Sequence, residues 1–332
     1  MGQGMSQSRT VASLLLAAVA GLALFPFASG EFYLELFTHI MVLGIFAMSL
    51  DLLIGYTGLV SFGHAAFFGL AGYLLAIITP ESEAMSLWVS LPITLAGVAL
   101  AALAIGWFSV RTSGVYFIMI TLAFAQMAFY YFNENVALGG SDGIFIFTKP
   151  SVGVAGFEII DLGDPTTVYY AVLASLVACY LLLSMVLRAP FGRVIKAIRV
   201  NEHRTRALGY DTRRYKLAAF VIAGTMAGYA GYLEAVSTGI VSPGHLSWHQ
   251  SGLVLILVIL GGMGTLYGPV LGAFALGLLH DQVQDVTVHW QLVQGIFVIL
   301  VVLFLPHGIA GLVARLARRG AALAERAREP ES

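Results

Sequence analysis

Ten apolar stretches, each close to the length of a membrane crossing, constrain this chain more than any other feature. They run over 11–28, 33–54, 58–78, 87–108, 114–133, 167–187, 217–237, 248–262, 266–285 and 290–305. A helix needs roughly 20 apolar residues to cross a hydrocarbon core of about 30 Å. The eighth and tenth stretches are short, and either could stop partway across if shielded by protein, which exposure to lipid would not permit. Composition agrees: of 332 residues, 59% are hydrophobic and only 11% are charged, which excludes an ordinary soluble enzyme and a disordered chain. The 37 glycines suit close helix packing in lipid. With Cys179 as the single cysteine, the chain has no intramolecular disulfide and no cysteine-rich metal site. The expectation is an all-α, polytopic membrane protein of about ten transmembrane helices.

The first stretch leaves two readings open. Arg9 before it and the small residues Ala28, Ser29 and Gly30 after it resemble a cleaved signal. Its length and Pro26 favour an uncleaved first helix.

Basic residues set the orientation. Segment 188–216 and the tail after 311 together hold fourteen of the seventeen lysines and arginines. The positive-inside rule puts both in the cytoplasm, and the four stretches between them keep that parity. Both termini are then cytoplasmic. Loop 134–166, with Glu134, Asp142, Glu158, Asp161 and Asp164 against Lys149, falls outside. Its glycines and alternating apolar residues suit a small hairpin or lid over an outer opening. Residues 1–310 read as one membrane-spanning domain, and 311–332 as a basic cytoplasmic tail on anionic lipid.

Segment 188–216 is too long for a simple connector and carries a charge of +7. Phe191, Val194, Ile195 and Ile198 fall at helical spacing, Ala207 and Leu208 continue the apolar positions, and Gly209 is a natural helix stop. One or two amphipathic helices are expected here. They serve either as a lipid-bound topology anchor or as a docking element for a cytoplasmic partner, and the helix-plus-glycine pattern favours docking.

Among polar residues within spans, His39, Asp51, His64, Gln126 and Glu234 stand out. Such residues face protein or a water-filled path. Asp51 and Glu234 lie near span ends and are expected to reach the interface. For His64 an interhelical hydrogen bond comes first and a path role second. Gln126, with no charge to desolvate, is a path candidate. Glycines from Gly55 to Gly72 and from Gly261 to Gly277 suit packing or broken spans, and both clusters begin at cytoplasmic turns, as an internal duplication would. No nucleophile or metalloprotease motif is present. His280, Asp281, Asp285 and His289 are read as a solvated helix end, so no catalytic group, metal or cofactor is expected. The three lysines precede Pro150, Ala197 and Leu217, so none belongs to a Walker A loop. Any ATP-derived energy must come from another chain.

Five segments carry a family resemblance: GYTGLVSFGHAAFFGLAGY (55–73), RTSGVYFIMITLAFAQM (111–127), GGSDGI (139–144), ILGGMGTLYGPVLGA (259–273) and LFLPHGI (303–309). They resemble the LivM-type permeases of branched-chain amino acid ABC importers, from about residue 35 to 310. Segment 189–216 partly resembles the coupling loop of importer permeases: Glu202 and Gly209 are present, while Arg204 and Thr205 stand where small residues are usual. The resemblance implies a permease subunit in a bacterial plasma (inner) membrane. Its partners would be a homologous second permease, two cytoplasmic ATP-binding subunits and an extracytoplasmic solute-binding protein, with membrane lipid but no nucleic acid. It points to Arg199, Glu202, Arg206 and Gly209 for coupling to the ATPases. Gly58, Ser61, His64 and Gln126 are the expected translocation path. Import of urea or short-chain amides is the near alternative. A self-contained ion-coupled transporter, using Asp51 and Glu234, is the alternative of another class.

Overall fold

The computed structural model describes residues 2–27, 30–80, 85–154, 157–160, 162–284 and 286–315. It is a helical bundle. In chain order the helices are α1 (Gly2–Leu24), α2 (Glu31–Asp51), α3 (Ala65–Ile78), α4 (Leu87–Ser109), α5 (Val115–Glu134), α6 (Pro165–Arg188), α7 (Pro190–Val200), α8 (Glu202–Ala207), α9 (Thr212–Thr238), α10 (Trp248–Gly261), α11 (Gly268–Gln284) and α12 (Trp290–Phe304). A last helix, α13 (Gly308–Arg315), is bent 50° from α12. Among the described residues five helices are long and apolar enough to cross a membrane, or six if the bent pair is one crossing. Of the tail expected to lie on lipid, residues 316–332 fall outside the described residues.

Helices α2 and α9 form the centre. From Ile40 to Ile54 every residue of α2 and its extension is buried. Helix α9 packs against α2, α3 and α4 through small residues. A methyl group at Gly231 would stand 1.9 Å from the carbonyl oxygen of Phe68 in α3, and one at Gly228 would stand 2.7 Å from Val98 in α4. Without a hydrophobic force between helices in lipid, such close backbone approach supplies the attraction. The outer helices show large apolar side chains instead: Trp88, Leu100, Trp107 and Phe108 on α4, Met119, Met127 and Tyr130 on α5. That surface suits hydrocarbon and would be a liability in water.

Two buried connections between helices are irregular. Helix α2 runs on through a wider π-helical turn, Leu52–Thr57, and ends at Gly58, whose φ of 78° is left-handed. The chain is then non-helical to His64, so the third helix begins at Ala65. The apolar run from 58 to 78 is therefore a seven-residue break followed by a 14-residue helix, not one continuous span. Helix α10 stops at Gly262 (φ 115°), and α11 resumes at Gly268. Irregular backbone buried in the protein needs internal partners, and polar side chains provide them. The amide of Phe62 donates to Thr121 Oγ1 (3.3 Å), that of Gly63 to Ser61 Oγ (3.3 Å), that of Ala65 to Ser251 Oγ (3.0 Å) and that of Gly264 to Asp51 Oδ1 (2.8 Å).

At the opposite end of the bundle, β1 (Ile144–Phe145) pairs antiparallel with β4 (Ile240–Val241). Strands β2 (Val152–Val154) and β3 (Phe157–Ile160) form a small hairpin. The segment after α5 thus folds onto the turn after α9. Asp164 caps α6, its carboxylate accepting from the Thr167 amide at 3.1 Å.

Candidate functional site

Both breaks meet α7. This helix is amphipathic: Val194, Ile195 and Ile198 are buried, Phe191 stacks on Tyr215 at 5.8 Å, and Arg193 and Val200 are exposed. Arg199 in its last turn is exposed over much of its length, but its Nη1 donates to the carbonyl oxygen of Gly55 in the π-helical turn that leads into the first break. A Cβ at Gly58 would lie 3.2 Å from Arg199 Cγ, and one at Gly264 would lie 3.3 Å from Arg199 Nη1. Asp51, fully buried, ties the first break to the second through the Gly264 amide, and its Oδ2 has no hydrogen-bond partner. The expectation that Asp51 reaches the interface is therefore corrected: the carboxylate is spent inside the bundle on backbone. Lys196 sits 5.4 Å from the centre of the Tyr56 ring. A cavity of about 420 Å³ opens beside Arg199, between the second break and the α12–α13 bend, with Gly262, Tyr267, Leu305 and His307 in its wall.

Glu202 also faces inward. Its carboxylate accepts from Lys216 Nζ at 2.5 Å, Thr212 Oγ1 at 3.0 Å and Arg206 Nη2 at 3.0 Å, which locks α8 onto the start of α9. Partial burial pushes the Glu202 carboxyl up. The hydrogen bonds from Lys216 and Thr212, with the charges of Lys216 and Arg206, outweigh it and hold the group below the usual glutamate range. Arg206 and Gly209 are on the exposed side, and Gly209 follows α8 with φ 92° and open space around it. Ala207 and Leu208 do not continue a buried face. Both are exposed, Leu208 beside Tyr210 and not far along the chain from exposed Val200. The sequence signal for this surface was an apolar residue out of register with the helical stripe in a strongly basic segment.

The residues expected on the path separate. Gly58 lies against Arg199. Ser61 and His64 are fully buried in the first break. His64 Nε2 is 2.8 Å from Ser49 Oγ, its ring lies parallel to Phe46 at 5.6 Å, and its Nδ1 has no partner. Gln126 is half-buried on α5, more than a turn beyond Thr121, the residue of that helix that touches the break. Sequence reasoning missed Thr121, Ser251 and Ser49, whose hydroxyls look unremarkable in a helix until the break they serve is known.

Glu234 does not reach an interface. It is buried on α9 and bonded to His39 Nδ1 on α2 at 2.8 Å. Asp281 is buried too and accepts from Gln282 Nε2 at 3.2 Å, while His280 packs on Trp290. Asp285 of the same cluster lies outside the described residues.

Comparison with known proteins places this geometry in a family. A family profile described as the permease component of the branched-chain amino acid transport system matches residues 32–304. The chain is 29% identical over 93% of its length, and 76% of the relative's, to the high-affinity branched-chain amino acid transport system permease protein LivM of Escherichia coli. The LivM protein of Salmonella typhimurium is 28% identical over the same shares. A ribose import permease of Haemophilus influenzae is more distant, at 25% over half of each chain. No solved structure matches. The matched region runs from the start of α2 to the end of α12 and so includes both breaks, α7 and α8. The chain belongs to the family of branched-chain amino acid transport permeases and is a multi-pass membrane transport subunit.

Proposed function

We propose that this chain is one permease subunit of a bacterial inner-membrane ABC importer that moves branched-chain amino acids inward. Its ten apolar segments cross the bilayer, the short α3 and α10 being shielded by α2, α5 and α9, and both termini are cytoplasmic. A homologous permease completes the pore, two ATP-binding subunits dock on the cytoplasmic face, and a solute-binding protein delivers the solute at the opposite end. Membrane lipid receives the basic tail.

The observation that carries this reading is the junction of α7 with both breaks. On this reading the exposed side of α7 and α8, with Val200, Arg206, Leu208, Gly209 and Tyr210, meets the ATPases. Arg199 passes their movement to Gly55, and Asp51 passes it on to Gly264. Glu202 keeps the two short helices and α9 moving together. Alternating access follows from shifting the two breaks, with Gly58, Ser61, His64 and Gln126 nearest to the proposed route.

The test is uptake by the complete assembly in proteoliposomes. ATP inside should drive leucine uptake, with urea and acetamide ineffective as competitors and no dependence on a proton or sodium gradient. Arg199→Ala should leave the assembly intact and reduce uptake at least about tenfold, the loss expected for a hydrogen bond with a charged donor. Uptake driven by an ion gradient alone, or unchanged in Arg199→Ala, refutes the reading.

A further inference from the structure

We propose that the His39–Glu234 pair is a recognition site on the translocation path, at which the Glu234 carboxylate receives the ammonium group of the solute. The inference rests on the reading of this chain as an amino acid permease and names a residue that selects the solute's charge.

His39 and Glu234 lie on α2 and α9, the two central helices, and are joined at 2.8 Å. The two members are not equivalent. The Glu234 side chain is 4% exposed and the His39 side chain 48%. Of the two carboxylate oxygens, Oε1 accepts from the imidazole and Oε2 has no hydrogen-bond partner. Here a buried carboxylate keeps one oxygen unbonded, and a half-exposed imidazole covers it. Exposure to lipid tails is excluded on energetic grounds, because a charged or strongly polar pair there is costly. The opening at His39 therefore faces water or another protein chain.

A third group completes the set. His245, on the turn Pro243–Leu246 that follows β4, is near enough to act electrostatically on both Glu234 and His39. Its ring meets the edge of Phe68 at 5.9 Å. One carboxylate with two imidazoles complements a zwitterion: the carboxylate takes an ammonium, and an imidazole N–H faces a carboxylate. Among the described residues no three such groups are arranged to hold a metal ion. A neutral amide such as urea offers only N–H dipoles to Glu234, a weaker attraction than that of an ammonium, so the site favours the amino acid reading over its nearest alternative. In the empty state the imidazole holds Glu234. When solute arrives, its ammonium replaces the imidazole on the carboxylate, and His39 turns toward the opening.

The test uses the complete assembly in proteoliposomes, with radiolabelled leucine on its binding protein. Glu234→Gln keeps the hydrogen bond to His39 and removes the charge. It should lower maximal uptake about ten- to hundredfold, while the subunits still copurify and the loaded binding protein still stimulates ATP hydrolysis. Wild-type uptake in Glu234→Gln overturns the proposal. If that variant fails to assemble, Glu234→Asp and Glu234→Asn compare a charged with a neutral side chain of equal size. Transport by Asp but not Asn supports the proposal, and equal transport overturns it. Absence of ATP-driven leucine uptake in the wild-type assembly would instead overturn the functional reading, and this inference with it.

Discussion

The Glu202–Lys216 pair allows the sharpest test of how the basic segment is held. Lys216 is 5% exposed, so its ammonium has almost no water to turn to if Glu202 is neutralised. Removing one partner of a fully buried pair costs about 3–5 kcal/mol. The Glu202 side chain is 28% exposed, so some solvation survives and the expected cost of Glu202→Gln falls to about 2 kcal/mol. Spread over a chain of this size, that lowers an apparent Tm by roughly 3 °C. Lys216→Met should cost less, because Glu202 keeps Arg206 and Thr212. The double variant should recover most of the loss of Glu202→Gln, since no buried ammonium then lacks a partner. Melting of the purified chain in detergent, at one scan rate for all variants, reads the cycle. Losses that simply add would refute the account. The pH dependence has a fixed sign. The carboxyl is held below its ordinary value of 4.5, so this stability is fully present above that value and is lost only as pH falls through the lowered one. Between pH 7 and pH 5 the difference between wild type and Glu202→Gln should stay constant.

Two glycine variants separate packing from conformation. Gly231→Ala places a methyl group 1.9 Å from the Phe68 carbonyl oxygen; α9 must retreat from α3, at a cost of about 3 kcal/mol or more, read as loss of the monodisperse peak in detergent. Gly209→Ala meets nothing but forces an alanine to φ 92°, so about 1 kcal/mol should be lost with the assembly intact, and Gly209→Asn should lose less.

The long helices were legible because a membrane crossing must be both apolar and continuous. The bounds of α4, α5, α6 and α9 lie within a few residues of the apolar stretches. The first break was not legible in the same way. Leu59, Val60 and Phe62 are as apolar as the helix that follows, so a count of apolar residues runs straight through them. What ends the helix is Gly58 in a left-handed conformation, and what makes the break tolerable is Thr121 and Ser251, far away in sequence. The same distance hid the work of Asp51 and Glu234. Position along a span says how deep a carboxylate lies, but only the fold says that Gly264 or His39 waits beside it. In the basic segment the amphipathic stripe placed the buried face of α7 correctly. It failed at Leu208, where the chain leaves the helix and helical spacing no longer predicts facing.

The breaks also explain how a single contact from α7 can act on a whole bundle. The first break depends for its backbone partners on α5 through Phe62 and, where α3 begins, on α10 through Ala65, while the second depends on α2 through Gly264. A buried amide left unsatisfied costs about 1–3 kcal/mol. No break can therefore shift while its donors and acceptors stay behind, because each such step would leave at least one amide bare. The low-cost motion carries α2, α5, α10 and both breaks together, and intermediate arrangements are penalised. On the proposed reading, a bundle so constrained would have discrete states in place of gradual deformation. On the same reading, Arg199 needs only to bias which state is occupied, through its hydrogen bond to the Gly55 carbonyl.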